Sequence, residues 1–92
     1  MLEVIQSSKF RKDYELLLKQ GKDMSLLEEV IDLLIEEKQL PRKYKDHPLS
    51  GNWKGCRECH IQGDWILIYK IDNNVLTLTL SRSGSHSRIL HI

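Results

Sequence analysis

The sequence predicts an α+β domain: an antiparallel sheet of four to five strands, covered on one face by an N-terminal helical hairpin, in the order β-α-α-β-β-β with a possible last strand. Three observations predict it. Two stretches near the N-terminus repeat apolar residues at helical spacing. Three β-branched and apolar runs follow in the second half, separated by short polar turns. Between these regions lies a span, residues 39–55, with neither period but with Pro41, Pro48, Gly51 and Gly55.

Residues 2–6 are short, branched and apolar, and suit a strand. Ser7 or Ser8 is a candidate N-cap for a helix over about 8–20, with Phe10, Tyr14, Leu17 and Leu18 on one face and Gly21 just past its end. Ser25-Leu-Leu-Glu28 fits a capping box, and the helix expected over 25–38 buries Leu26, Leu27, Val30, Ile31, Leu34 and Ile35. The short link around Gly21 implies an antiparallel hairpin, and Pro41 stops the second helix.

Residues 39–55 read as an irregular loop, and a loop of that length in a small domain is often functional. The strands expected next are Cys56–Ile61, Trp65–Ile71 and Val75–Leu80, with turns at Gln62-Gly63 and Asp72-Asn73-Asn74. Residues 87–92 suggest a last short strand. The chain reads as a single domain over 1–92, with room for one modest core.

No apolar run approaches the ~20 residues that span a bilayer. The first residues, Met1-Leu-Glu-Val-Ile-Gln, lack the basic and apolar regions of a signal peptide. The expected setting is therefore the cytoplasm, without a membrane partner, and Cys56 and Cys59 are expected to be free thiols.

The net charge of +1 hides an asymmetry: residues 24–37 carry five acids and no Lys or Arg, whereas residues 38–57 carry six Lys or Arg against Asp46. A polyanion could find one favourable face on a nearly neutral protein. Segregated solvated charges are the plainer explanation of the same pattern.

Chemistry concentrates between Tyr44 and Trp65, a stretch with two of the four histidines, both tryptophans and both cysteines. Cys56-Arg-Glu-Cys59-His60 matches a haem-attachment pattern in letters only. Cysteines three apart on a strand point to opposite faces, which disfavours a disulfide, a thioredoxin-like site or a shared metal. No metal or other cofactor is expected. His47, His60 and His86 are the sharper signal, because imidazole can both take and give a proton near neutrality. RNA cleavage through its own 2′-hydroxyl needs a base, an acid and positive charge on the phosphate. Arg82 has the parity of Leu76, Leu78 and Leu80 and is expected at the sheet rim, where it could clamp a phosphate or make a salt bridge. Trp53 and Trp65 could stack on bases or pack in the core.

Tyr44-Lys-Asp-His-Pro-Leu-Ser-Gly-Asn-Trp-Lys-Gly55, Arg57-Glu-Cys-His60, Asp64-Trp-Ile-Leu-Ile-Tyr-Lys70 and Arg82-Ser-Gly-Ser-His86, in that order, resemble the YafQ branch of the RelE/ParE toxin superfamily over nearly the whole chain. The resemblance implies the toxin of a type II toxin–antitoxin pair: a ribosome-dependent mRNA endonuclease that cuts A-site codons and inhibits translation. It implies a cognate antitoxin, ribosome and mRNA as partners, and operator DNA only through the antitoxin complex. It places the catalytic set on His47, His60, Asp64, Arg82 and His86, with Trp65 next to the aspartate. The aromatic residue such toxins often carry near the C-terminus is replaced by Leu90. Lys43, Lys45, Lys54 and Arg57 are expected to hold RNA. His86 is expected to act as general acid, His60 or Asp64 to deprotonate the 2′-hydroxyl, His47 to orient the phosphate or share that task, and Arg82 to stabilise developing charge. A three-residue loop, Ile61-Gln-Gly63, is expected to put His60 and Asp64 on one face. The alternatives are a ParE-like toxin of the same fold without nuclease activity, or an RNA- or protein-binding module.

Overall fold

The structure, a computed structural model, describes residues 1–90. Its elements are β1 (Glu3–Gln6), α1 (Ser8–Lys19), α2 (Met24–Ile35), β2 (His47–Pro48), β3 (Arg57–Gln62), β4 (Trp65–Asp72), β5 (Thr77–Ser85) and α3 (His86–Leu90). Short 3₁₀ turns at Arg42–Tyr44 and Gly51–Trp53 flank β2. The expected loop thus contains a two-residue strand that its composition hid.

The strands form one sheet in the order β1-β5-β4-β3-β2. β2 to β5 pair antiparallel, as expected, but β1 runs parallel to β5, so the sheet is mixed. The two-helix crossover after β1 is what a parallel neighbour requires.

Ser7 caps α1: its Oγ accepts from Phe10 N at 2.9 Å and donates to the Ser81 carbonyl at 2.7 Å, tying the helix start to β5. Asp23, rather than Ser25, caps α2. α2 also ends earlier than expected, because Glu37 turns left-handed (φ 58) and Glu37 N and Lys38 N bond back to the Leu34 and Leu33 carbonyls.

The main core lies between the helices and one sheet face, where Phe10, Leu17, Leu27, Val30 and Leu34 meet Cys59, Leu67, Tyr69, Leu78 and Leu80. Trp65 to Tyr69 are all buried, so β4 is covered on both faces. Each such side chain contributes roughly 1.5–3 kcal/mol. The opposite sheet face, the outer face, carries a smaller cluster of Ile66, Ile68 and Ile89. No helix among the described residues is long and apolar enough to cross a membrane.

Two irregularities decide where the functional side chains go. Leu80 pairs with Tyr69 but Arg82 pairs with Ile68, leaving Ser81 as an extra residue. This bulge moves Arg82 from the face of Leu78 and Leu80 to the face of Ile68, against the parity expected from sequence. β5 also continues to Ser85, so Arg82 lies within the strand. A second bulge leaves Ile61 unpaired between His60↔Ile66 and Gln62↔Trp65. The turn is Gly63-Asp64, with Gly63 left-handed at φ 55, instead of the three-residue Ile61–Gly63 loop.

The chain after β5 is helical rather than a strand; the last two residues of that expected strand, 91 and 92, lie outside the described residues. α3 folds over Gly84, where an added Cβ would stand 2.6 Å from Arg88 Nη2 and 3.3 Å from Ile89 Cδ1. Only glycine admits the helix at that distance.

Candidate active site

The outer face gathers three histidines around one carboxylate. Glu58 and His60 are two apart on β3 and share that face, opposite Ile68 and Ile66. β2 pairs His47 directly with Glu58. α3 opens on His86, whose backbone N–H donates to the Asp64 carbonyl at 2.7 Å, so the β3–β4 turn anchors it. Glu58 is 1% exposed, and its Oε1 lies 3.1 Å from His60 Nε2, 3.8 Å from His86 Nε2 and 3.9 Å from His47 Nε2. Among the described residues, that oxygen has no aligned hydrogen-bond donor. The rings of His47 and His60 are centred 6.2 Å apart, and those of His60 and His86 6.3 Å apart and stacked.

His47 is held in one tautomer. Its Nδ1 lies 2.7 Å from the Lys45 carbonyl, which can only accept, so Nδ1 carries the proton and Nε2 is left to face Glu58. Lys45 is left-handed (φ 49), and this turn brings its carbonyl round. From the other side of the strand, Asp46 accepts from Arg57 Nη2 at 3.1 Å and from the Tyr69 hydroxyl. Burial and the Asp46 carboxylate both raise the Tyr69 hydroxyl, burial the more.

Arg57 therefore does not join the site. It pairs with Pro48 and Tyr69, on the helix side of the sheet, and fixes the loop that bears His47. Trp65 is 3% exposed and its indole N–H donates to Ser83 Oγ at 2.9 Å, so it packs in the core and cannot stack on a base. Asp64 occupies the turn and lines a cleft with Gln20, Trp65 and Arg88; its carbonyl, rather than its carboxylate, reaches the cluster, through His86 N.

Arg82 lies in the same cross-sheet row as His47, Glu58 and Ile68. Two strand steps, about 10 Å, separate its position from Glu58. Its Nε and Nη2 donate to Asp13 at 2.8 and 3.1 Å, which holds its pKa above the ordinary guanidinium value. Asp13, buried on α1, also accepts from Ser83 N at 3.0 Å and Arg88 Nη2 at 3.4 Å. Lys43, Lys45 and Lys54 are exposed, and Lys43 Nζ stands 5.0 Å over the Tyr44 ring.

Glu58 is the residue that the sequence reading missed. The signal was present: a carboxylate two positions before a candidate histidine, on a strand, shares its face. Glu58 also changes the metal question. Cys59 is buried in the main core and Cys56 packs on the outer cluster, so the cysteines do not converge. The donor atoms of His47, Glu58 and His60, however, lie within 4.8 Å of one another. Two imidazole nitrogens and a carboxylate oxygen suit a divalent transition ion.

Comparisons agree with this geometry. The chain is 42% identical over 88 residues to an mRNA interferase toxin YafQ of Escherichia coli, covering 95% of this chain and 94% of the relative. Its fold is similar to a metal-bound toxin from Helicobacter pylori, with a TM-score of 0.91 and 47% identity over 97% of this chain and 99% of that one. It is likewise similar to the toxin in an E. coli DinJ–YafQ complex, with a TM-score of 0.89 and 41% identity over 97% and 98% of the two chains. The family profile described as "Bacterial toxin of type II toxin-antitoxin system, YafQ" matches residues 2–91. Sequence, fold and family profile converge: the chain belongs to the YafQ family of type II toxin–antitoxin toxins and is a homologue of its mRNA interferases.

Proposed function

We propose that the protein is an endoribonuclease that cuts mRNA in the ribosomal A site by acid–base catalysis through the RNA 2′-hydroxyl. The observation that carries this reading is the convergence of His47, His60 and His86 on Glu58. Three imidazoles on one carboxylate can pass a proton from one side of a scissile phosphate to the other.

In this reading His60, backed by Glu58, takes the 2′-hydroxyl proton. The freed oxygen attacks the adjacent phosphorus, the P–O5′ bond breaks, and His86 donates a proton to the departing 5′-oxygen. The products are a 2′,3′-cyclic phosphate and a 5′-hydroxyl. His47 offers Nε2 to the phosphate or shares the base role. Lys43, Lys45 and Lys54 draw the message in, with salt-dependent affinity. Arg82, two strands away, supplies positive potential to the phosphates alongside. Asp64 positions His86 through its carbonyl. The E. coli relative is solved with the antitoxin DinJ. A cognate antitoxin neutralises this toxin too, and the pair binds operator DNA.

Primer extension on translated mRNA tests the reading. Wild-type protein produces new 5′ ends within codons, and His86→Gln removes them while ribosome and antitoxin binding persist. A His86→Gln protein that still arrests growth overturns nuclease action in favour of a ParE-like toxin.

A second reading rests on the donor set and on the metal-bound H. pylori relative. A divalent transition ion held by His47, Glu58 and His60 would occupy the lone pairs that proton transfer needs, and would act as an inhibitor. Added Zn²⁺ or Cu²⁺ should then suppress cleavage, and a chelator should restore it.

A further inference from the structure

A groove of about 550 Å³ opens on the outer face beside the histidine cluster. Trp53 and Leu90 are among its walls, Lys9 and Arg82 supply charge, and Ser50 and Asn52 supply hydrogen-bonding groups. Trp53 is half-buried, packed on Ile66, Ile68 and Ile89. Lys9 is exposed. Asp13 grips Arg82 from the side, through Nε and Nη2. Among the described residues no hydrogen bond takes up Nη1, so one edge of the fork is left for an anion.

We propose that this groove binds the nucleotide on the 3′ side of the scissile bond, its base stacked on Trp53 and its phosphate between Lys9 and Arg82. This rests on the RNA-cleavage reading above and adds a substrate position and a polarity to it. An apolar π-surface beside two cations is the chemistry that single-stranded nucleic acid needs. A purely apolar protein segment would not call for the cations. The polarity follows from His86. The group assigned to the departing 5′-oxygen opens α3, and the far end of that helix, Ile89 and Leu90, walls the groove. The 3′ product therefore leaves toward Trp53, and the 2′-hydroxyl side lies toward β2. Asp13 is the positioning residue, because it fixes the edge that Arg82 presents.

The two tryptophans allow a direct test. Trp65 is sealed in the core, so quenching by a stacked base reports Trp53. The probe is an RNA hexamer methylated at every 2′-oxygen, which cannot be cut, titrated into His86→Gln protein. A saturable quench is expected, and Trp53→Leu should abolish it. Lys9→Ser, an exposed change that leaves the core alone, should weaken binding and lower the slope of log K against log salt by about 0.7. In the active protein, Trp53→Leu should reduce kcat/KM by about 10-fold and Trp53→Phe by much less. The base preference at the first nucleotide after the cut should relax in Trp53→Leu.

A quench that survives Trp53→Leu, or cutting by Trp53→Leu at the wild-type rate and pattern, overturns the subsite. A change confined to the nucleotide before the cut overturns its polarity. An unquenched protein whose groove instead protects a peptide of the antitoxin also overturns it. If His86→Gln still cuts RNA, the catalytic assignment fails while the quench remains an independent measure of the groove.

Discussion

The Glu58 carboxylate stands 3.1 Å from His60 Nε2 and is almost wholly withdrawn from water. A buried carboxylate without an aligned donor is costly for folding, and a functional site is where such a cost is retained. Glu58→Gln removes the charge at nearly constant shape. The expected outcome is a fall in kcat of about 10²–10⁴-fold, the range for losing acid–base assistance. The melting temperature should not drop. Quantitative primer extension and a thermal melt check both, and a variant that cuts normally would leave Glu58 a packing residue.

Asp13 joins α1 to β5 and α3 through Arg82, Ser83 and Arg88. Asp13→Asn leaves a guanidinium and a backbone N–H poorly matched in a buried place. The cost should be about 3 kcal/mol, the scale for breaking a buried pair on one side. Urea unfolding measures it. Cleavage should fall further than the folded fraction does, because Arg82 loses its fixed edge.

The Asp46–Arg57–Tyr69 contacts hold the loop that carries His47. Tyr69→Phe removes one hydrogen bond to a carboxylate that Arg57 still holds. The expected loss is about 1.5 kcal/mol. Activity should drop severalfold through a less ordered His47, visible as broadened imidazole resonances in NMR spectra.

Burial pushes the Cys59 thiol up to about 12, with the Asp46 and Glu58 charges adding to it, and burial raises Tyr69 as well. A folded-state pKa above the unfolded value means that the native state keeps its proton longer. That contribution is complete below the unfolded thiol value of 9.0 and is lost as pH rises from there toward about 12. Stability to urea should therefore decline above pH 9, and Cys59→Ala should blunt the onset. At pH 8 iodoacetamide should label the half-exposed Cys56 and spare Cys59.

Much of the architecture was legible because periodicity reports burial. Phe10, Leu17, Leu27, Val30 and Leu34 recur at helical spacing, and each lies in the main core. Trp65–Ile71 reads as a continuous apolar run, and β4 is the strand covered on both faces. The His47, His60 and His86 set was legible from residue chemistry and motif order, and the fold brings the three together. Arg57 and Trp65 were misplaced for opposite reasons. A basic residue looks available until its partner, Asp46, is seen, and an aromatic looks available until its burial is known.

The sequence by itself determined the α+β class, the helices, the strands and the identity of the proton-carrying histidines, because these depend on side-chain type and local repeat. Only the tertiary structure decided that Glu58 is their shared partner, that Arg82 belongs to Asp13, and that Trp53 rather than Trp65 meets the surface. The physical reason lies in the two bulges at Ile61 and Ser81. Each inserts one residue into a period of two, so everything beyond it changes face. Strand pairing sets that shift, and no local pattern in the chain announces it.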